Sequence, residues 1–185
     1  MVVETERLLL IPLTSEQLRL WICDLAALER TLSCTYRGMP LDTAFTEDGF
    51  SFTLGDLVQA QAERCVNAYP FGTYWWLVRK IDLTAVGTID FKTAPNEAGQ
   101  VEIGYGLSPA FEHRGYMTEA VRVLTEWTLK QPGAATVVSL VETDNRPSRS
   151  VMSRAGFRET CTEDGFCRYE FDKVQQVAQI PEQED

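Results

Sequence analysis

Apolar residues change their rhythm along this chain. "RLLLIPL", residues 7 to 13, is an apolar run of strand length, and Pro12 either confines it to a sheet edge or ends it. Leu18, Trp21, Ile22 and Leu25 then recur at i, i+3, i+4 and i+7, which predicts a helix with one apolar face. Thr14 and Gln17 at its start have capping-box spacing. Residues 31 to 53, rich in Thr, Gly, Pro and Asp, read as loop, and a second, less periodic helix is expected over 54 to 67.

Three strand signals follow. "TYWWLVRK" is aromatic and β-branched, and "AVGTIDFK" alternates. "GQVEIGYGL" sends Val101, Ile103, Tyr105 and Leu107 to one face and Glu102, Gly104 and Gly106 to the other. Short polar turns join the three, so an antiparallel meander is the simplest arrangement. "GYMTEAVRVLTEWTLKQPG" then reads as a helix, with Ala120, Val123, Leu124 and Trp127 at core spacing and "QPG" as its stop. "ATVVSLV" reads as a buried strand. "NRPSRSVMSRAGF" reads as a short helix, with Pro147 in its first turn and Gly156 at its C-terminal cap. A hairpin turning at "EDG" follows, and the polar tail from about Val174 reads as mobile.

No repeat or linker divides the chain, so we expect one domain over 1–173 and a tail over 174–185. The order βααβββαβαββ predicts an α+β (mixed α/β) fold. Its central sheet would be mixed but mostly antiparallel, of about seven strands flanked by about four helices. The strand–helix–strand unit near 99 to 142 would be a parallel, right-handed crossover.

A chain of 185 residues, 44% of them hydrophobic, can bury a sizeable core. Its net charge of −10 disfavours nucleic acid or an anionic membrane as partner, because both require a basic surface. Between Gly38 and Glu63 stand Asp42, Glu47, Asp48, Asp56 and Glu63 with no Lys or Arg. This is either a solvated acidic surface or a mouth that attracts amines. The five cysteines fit no zinc spacing, and a single His argues against a metal site. No stretch approaches the ~20 apolar residues of a membrane span, and "MVVETERLLLIPL" lacks the apolar core of a signal peptide. The expected setting is the reducing cytoplasm, with free thiols.

Three places carry candidate chemistry. "FEHRGYMTEAV" runs from a loop into a helix, whose first N–H groups and about half a positive charge suit a phosphate. Gly115 permits close backbone approach there and Arg114 offers a charge. The segment is neither a Walker A nor a Rossmann fingerprint, and an ordinary loop before a helix remains the alternative. Gly104 and Gly106 mark either a bulge or a strand whose backbone lies against a ligand. Ser148 begins an inward row with Val151, Met152 and Ala155, so its hydroxyl either caps the helix or faces something buried.

Together these segments resemble the GNAT superfamily of acyl-CoA-dependent N-acetyltransferases, and most closely its RimJ/RimL-like branch. "ETERLLLIPLT", "VEIGYGLSPAFEHRGYMTEAV", "ETDNRPSRSVMSRAGF" and the hairpin after it carry the likeness, with Asn145, Ser148, Val151 and Gly156–Phe157 on the family pattern. The resemblance implies acetyl-CoA as co-substrate and an amine acceptor, and because dimerisation is frequent in the family, a homodimer is a possible assembly. It implies that the backbone of residues 112 to 117 holds the CoA pyrophosphate, with contributions from His113, Arg114, Gly115, Tyr116, Met117 and Thr118. In the family this loop follows Gln/Arg-x-x-Gly-x-Gly/Ala, from which Glu112 and Met117 depart.

The resemblance further implies that the strand at 101 to 107 splays from the one at 135 to 141, so that the pantetheine arm lies along Ile103, Gly104 and Tyr105. Asn145 would fix the arm or the start of the helix, and Ser148 would meet the departing thiolate. An amine would attack the thioester directly, a backbone N–H near Ile103 to Tyr105 holding the oxyanion. The ammonium must first lose a proton. Glu102 is the first candidate base, Glu142 and Asp144 are rivals, and His113 reads as positional. A different class of function is a GNAT-fold acyl-CoA-binding or regulatory module without turnover, for which Glu112 and Met117 are the motive. The acceptor itself, a protein N-terminus or a small cationic amine, is not specified, nor is acetyl over a longer acyl group.

Overall fold

The computed structural model describes residues 1–47 and 50–174. The first strands, β1 (Val3–Glu4) and β2 (Leu8–Pro12), pair antiparallel, and Pro12 is the last residue of β2. Thr14 caps α1 (Ser15–Cys23): its hydroxyl accepts from Gln17 N at 3.2 Å, and Gln17 Oε1 accepts from Thr14 N at 2.9 Å. The periodic run Leu18 to Leu25 does not form one helix. Asp24 interrupts it at φ −152° and accepts from Ala27 N at 2.9 Å, which opens α2 (Leu25–Leu32). A short acid competes well for free helix N–H groups, so it caps where the apolar period alone would continue.

Residues 31 to 53 are not wholly loop. They hold β3 (Thr35–Tyr36) and a self-paired hairpin, β4 (Ala44–Glu47) with β5 (Phe50–Thr53), whose Phe45 and Phe52 rings stack at 5.9 Å. Two four-residue strands are too short to show alternation against a Thr-rich background. Thr53 caps α3 (Leu54–Ala68) through a second capping box with Asp56.

The expected meander follows as β6 (Tyr74–Arg79), β7 (Thr84–Phe91) and β8 (Gln100–Leu107). Then come a short 3-10 turn (Pro109–Phe111), α4 (Tyr116–Leu129), β9 (Thr136–Glu142), α5 (Arg146–Ala155) and the hairpin of β10 (Arg158–Glu163) and β11 (Phe166–Asp172). The main sheet runs β1-β2-β6-β7-β8-β9-β11-β10, with β3 parallel to β7 beside it. The two-residue strands β1 and β3 bring it to nine, and the break at Asp24 makes five α-helices among the described residues. The mixed, mostly antiparallel sheet with flanking helices is as expected. The tail from 175 onward lies outside the described residues.

Neighbouring residues of β6 divide the interior. Trp75 packs with Phe91, Val101, Ala120, Leu124 and Phe157 on the α4–α5 face, and Trp76 packs with Trp21, Leu18 and Val58 on the α1–α3 face. Burial on both faces explains why β6 reads as an unbroken apolar run. On α4 the buried stripe is Met117, Ala120, Val121, Leu124 and Thr128, shifted from the expected one; Val123 is half-buried.

Candidate active site

The centre of the molecule is a gap in the sheet. β8 and β9 run parallel and pair only at Gln100–Thr136, Val101–Val137 and Glu102–Val138. Beyond Glu102 they part. Lys92 N bonds Glu102 O at 3.0 Å and Ser108 N bonds Val86 O at 3.0 Å, so β8 uses its even-numbered residues to pair β7. Strand alternation then turns the N–H and C=O groups of Ile103, Tyr105 and Leu107 toward β9. By the same count, Thr143 N to Gly165 O and Lys173 N to Ala135 O assign β9's odd residues to β11. The main chain of Leu140 and Glu142 therefore faces β8. Two rows of peptide groups look at each other across a space that neither strand fills.

No register shift interrupts the pairing of β7 with β8 over Ile103 to Leu107, so Gly104 and Gly106 do not mark a bulge. They clear space. A Cβ on Gly104 would stand 2.8 Å from Asp90 Oδ1, and one on Gly106 would stand 2.1 Å from Met39 Cε.

At one end of the gap lies the N-terminus of α4. Gly115 precedes it at φ 77° and no side chain caps it. The first intrahelical bond is Glu119 N to Gly115 O at 3.0 Å, so the N–H groups of Tyr116, Met117 and Thr118 have no helical partner. Tyr116, Met117 and Thr118 border a cleft of about 510 Å³, as do His113 and Gly115. His113 is exposed and takes φ 58°, a backbone role that His tolerates better than most residues. Arg114 does not border the cleft: its guanidinium donates back to Ala110 O at 3.2 Å. The Met117 side chain is 5% exposed and packs in the core, so its bulk does not stand between backbone and ligand. Glu112 is exposed at the cleft's edge.

A clamp behind this loop holds it. Glu119 accepts from Thr5 Oγ1 at 2.5 Å, Arg7 N at 2.9 Å and Arg7 Nε at 2.6 Å, and Arg7 Nη1 donates to Arg114 O at 2.9 Å. Burial opposes the ionised form of Glu119, but the Thr5 and Arg7 hydrogen bonds outweigh it and hold the carboxyl below its ordinary range.

The other wall is the start of α5. Asn145 caps the helix, its Oδ1 accepting from Ser148 N at 3.1 Å. The Ser148 hydroxyl is thereby relieved of capping and makes no hydrogen bond within the described residues. The Tyr105 phenol donates to Ser148 O at 3.0 Å, which ties β8 to α5, and burial pushes its pKa up to about 12.

A second cleft, about 440 Å³, opens on the α1–α3 face. It shares Met39, Tyr105, Gly106, Asn145 and Ser148 with the first, so the two meet where β8 and β9 part. Ile103 and Gly104 border this second cleft. So do Glu102 and Glu142, whereas Asp144 does not. Between Gly38 and Glu63 the lining comes from apolar residues such as Phe45, Phe52 and Leu57; Asp42, Asp56 and Glu63 do not line it, and Asp48 lies outside the described residues. The cleft's carboxylates are instead Glu102, Glu142 and Asp90, the last 7% exposed and ion-paired with Lys92 at 2.7 Å. Sequence reading missed Asp90, Lys92 and Met39, and also Arg154, which borders the first cleft. The alternation of "AVGTIDFK" gives Asp90 and Lys92 one face, but only the register sets them opposite Gly104 and Glu102. Among the described residues there is no metal-binding cluster, and no helix is long and apolar enough to cross a membrane.

Residues 7–158 match the model of the acetyltransferase (GNAT) domain. The chain is 30% identical over 83 residues to the uncharacterized N-acetyltransferase YjdG of Bacillus subtilis, covering 45% of this chain and 49% of that protein. It thus spans about half the length of that relative. The fold is similar to RimL, a ribosomal L7/L12 α-N-protein acetyltransferase in complex with coenzyme A (TM-score 0.65, 14% identity, 93% of this chain and 98% of that one). It is also similar to Mycobacterium smegmatis RimJ in complex with CoA-disulfide (TM-score 0.63, 15% identity, 96% and 94%).

Proposed function

Because the chain belongs to the GNAT acetyltransferase family, we propose that it moves an acetyl group from acetyl-CoA to a primary amine by direct attack in a ternary complex. The observation that carries this reading is the parting of β8 and β9 beyond Glu102, at the junction of two clefts. A donor entering past α4 and an acceptor entering from the α1–α3 face would meet there.

In this proposal the free N–H groups of Tyr116, Met117 and Thr118 hold the pyrophosphate, where dipole and hydrogen bonds add. The pantetheine arm pairs with the peptide groups of β8 and β9. The thioester oxygen sits on the Ile103 or Tyr105 N–H, fixed in place before reaction. Glu102 or Glu142 removes the ammonium proton, directly or through water, and the Ser148 hydroxyl meets the leaving thiolate. Asn145 orients Ser148. Aligning both substrates in the gap supplies much of the acceleration.

The quoted motifs and the likeness to RimL and RimJ support placement in the RimJ/RimL-like branch. The acceptor class is inferred from the cleft: Glu102 and Glu142 favour an ammonium, either of a protein N-terminus or of a small cationic amine, while Asp90 is already paired with Lys92. The burial of Met117 removes one of the two motives for a binding module without turnover. Thiol release from acetyl-CoA against a panel of amines and N-terminal peptides tests the proposal. We expect amine-dependent release and thermal stabilisation by acetyl-CoA; neither effect at millimolar acetyl-CoA would reject it.

A further inference from the structure

An ammonium group is already seated in the acceptor cleft. Lys92 and Asp90 lie on the same face of the sheet as Glu102 and Gly104: Asp90 pairs with Gly104 across the β7–β8 ladder, and Lys92 N bonds Glu102 O. The Lys92 side chain bends back so that Nζ meets Asp90 Oδ2 at 2.7 Å. There it hangs over Gly104 so closely that a Cβ added to that glycine would be 3.0 Å from Nζ. Gly104 separates Ile103 and Tyr105, the residues whose N–H groups face the gap. A thioester whose oxygen rests on the Tyr105 N–H, the one next to Gly104 in the chain, would have its carbonyl carbon beside Gly104. The Lys92 nitrogen would then be placed as an acceptor, with the Asp90 carboxylate in contact to take its proton.

We propose that Lys92 is a self-acetylation site; this rests on the acetyltransferase reading above. Asp90 takes one proton from the Lys92 ammonium, which frees the nitrogen lone pair. Nζ attacks the acetyl carbonyl carbon of acetyl-CoA, the C–N bond forms and the C–S bond breaks. The bonding pair leaves on sulfur, and the second proton lost by nitrogen goes to the CoA thiolate. The products are Nζ-acetyl-Lys92, free CoA thiol and one proton, released from Asp90 to water. Absence of a side chain at residue 104 is what lets the lysine reach.

Lysine-resolved mass spectrometry of the full chain during incubation with acetyl-CoA tests this. Lys80 is the internal reference, since it too is ion-paired, to Glu4 at 2.8 Å, but lies outside both clefts. We expect Lys92 to gain an acetyl group at least about tenfold faster than Lys80, Lys130 or Lys173, as positioning beside a base requires. Its rate constant should not change when the protein is diluted, as for a reaction within one molecule. Asp90→Asn should slow it about tenfold or more while stabilisation by acetyl-CoA persists. Lys92 reacting no faster than Lys80, in protein that does release thiol with amines, overturns self-acetylation and leaves the transferase reading standing. So does an undiminished Lys92 rate in Asp90→Asn, or one that scales with protein concentration. Protein that neither binds acetyl-CoA nor releases thiol overturns both.

Discussion

The Tyr105 phenol donates to the backbone carbonyl of Ser148 at 3.0 Å, bridging the strand on one side of the gap and the helix on the other. The bond sets how far β8 stands from α5 and therefore the width of the proposed thioester site. Tyr105→Phe removes it while keeping the ring. We expect about 1 kcal/mol of lost stability and a raised KM for acetyl-CoA, both read from thermal melts and initial rates. An unchanged KM would show that the bridge does not shape the donor site.

Ser148→Ala separates chemistry from folding. The helix cap belongs to Asn145, and among the described residues the Ser148 hydroxyl makes no hydrogen bond, so the melting temperature should hold. If the hydroxyl protonates the thiolate, kcat should fall by about 100-fold, with a smaller change in KM. Asn145→Ala should cost about 1 kcal/mol of stability because it removes the cap, and should lower kcat as well, because the cap orients Ser148.

Two glycines on paired strands should respond differently to the same change. A Cβ on Gly87 would lie 2.4 Å from the Gly106 carbonyl oxygen, a backbone atom that cannot yield. A Cβ on Gly106 meets only the end of the flexible Met39 side chain. Gly87→Ala should therefore destabilise the sheet by about 1–3 kcal/mol. Gly106→Ala should fold and lose turnover by narrowing the cleft. Equal losses of melting temperature would contradict the assignment of Gly106 to the cleft.

Glu119 ties the β1–β2 turn to the α4 loop, and its hydrogen bonds to Thr5 and Arg7 keep its folded pKa below the ordinary value. A depressed carboxyl pKa contributes stability that is present above the unfolded value and lost as pH falls through the folded one. Glu119→Gln should melt below the wild type at neutral pH, and the difference should shrink as pH is lowered beneath about 4. A difference that grows with acidity would contradict the clamp.

Periodicity made much of this fold legible, because α1, α4 and the meander each bury one face or run against the core. The break at Asp24 was hidden because a capping acid and an apolar period coincide in sequence. The β4–β5 hairpin was hidden because its strands are too short to alternate visibly. In the site, Gly115 and Ser148 could be named from local pattern, since each stands at the start of a helix, whereas Asn145 entered only with the family resemblance. Asp90 and Lys92 could not, because their place beside Gly104 depends on strand register. Met117 breaks the loop pattern in sequence, yet its helical position sends the side chain into the core.

In the proposed reaction acetyl-CoA threads the gap between β8 and β9, and a crystal structure of the protein with CoA would show whether it does. The pantetheine arm should lie between Ile103–Leu107 and Leu140–Glu142, with the pyrophosphate on the Tyr116–Thr118 amides and the sulfur within hydrogen-bond reach of the Ser148 hydroxyl. CoA bound elsewhere, or with its sulfur remote from Ser148, would contradict it.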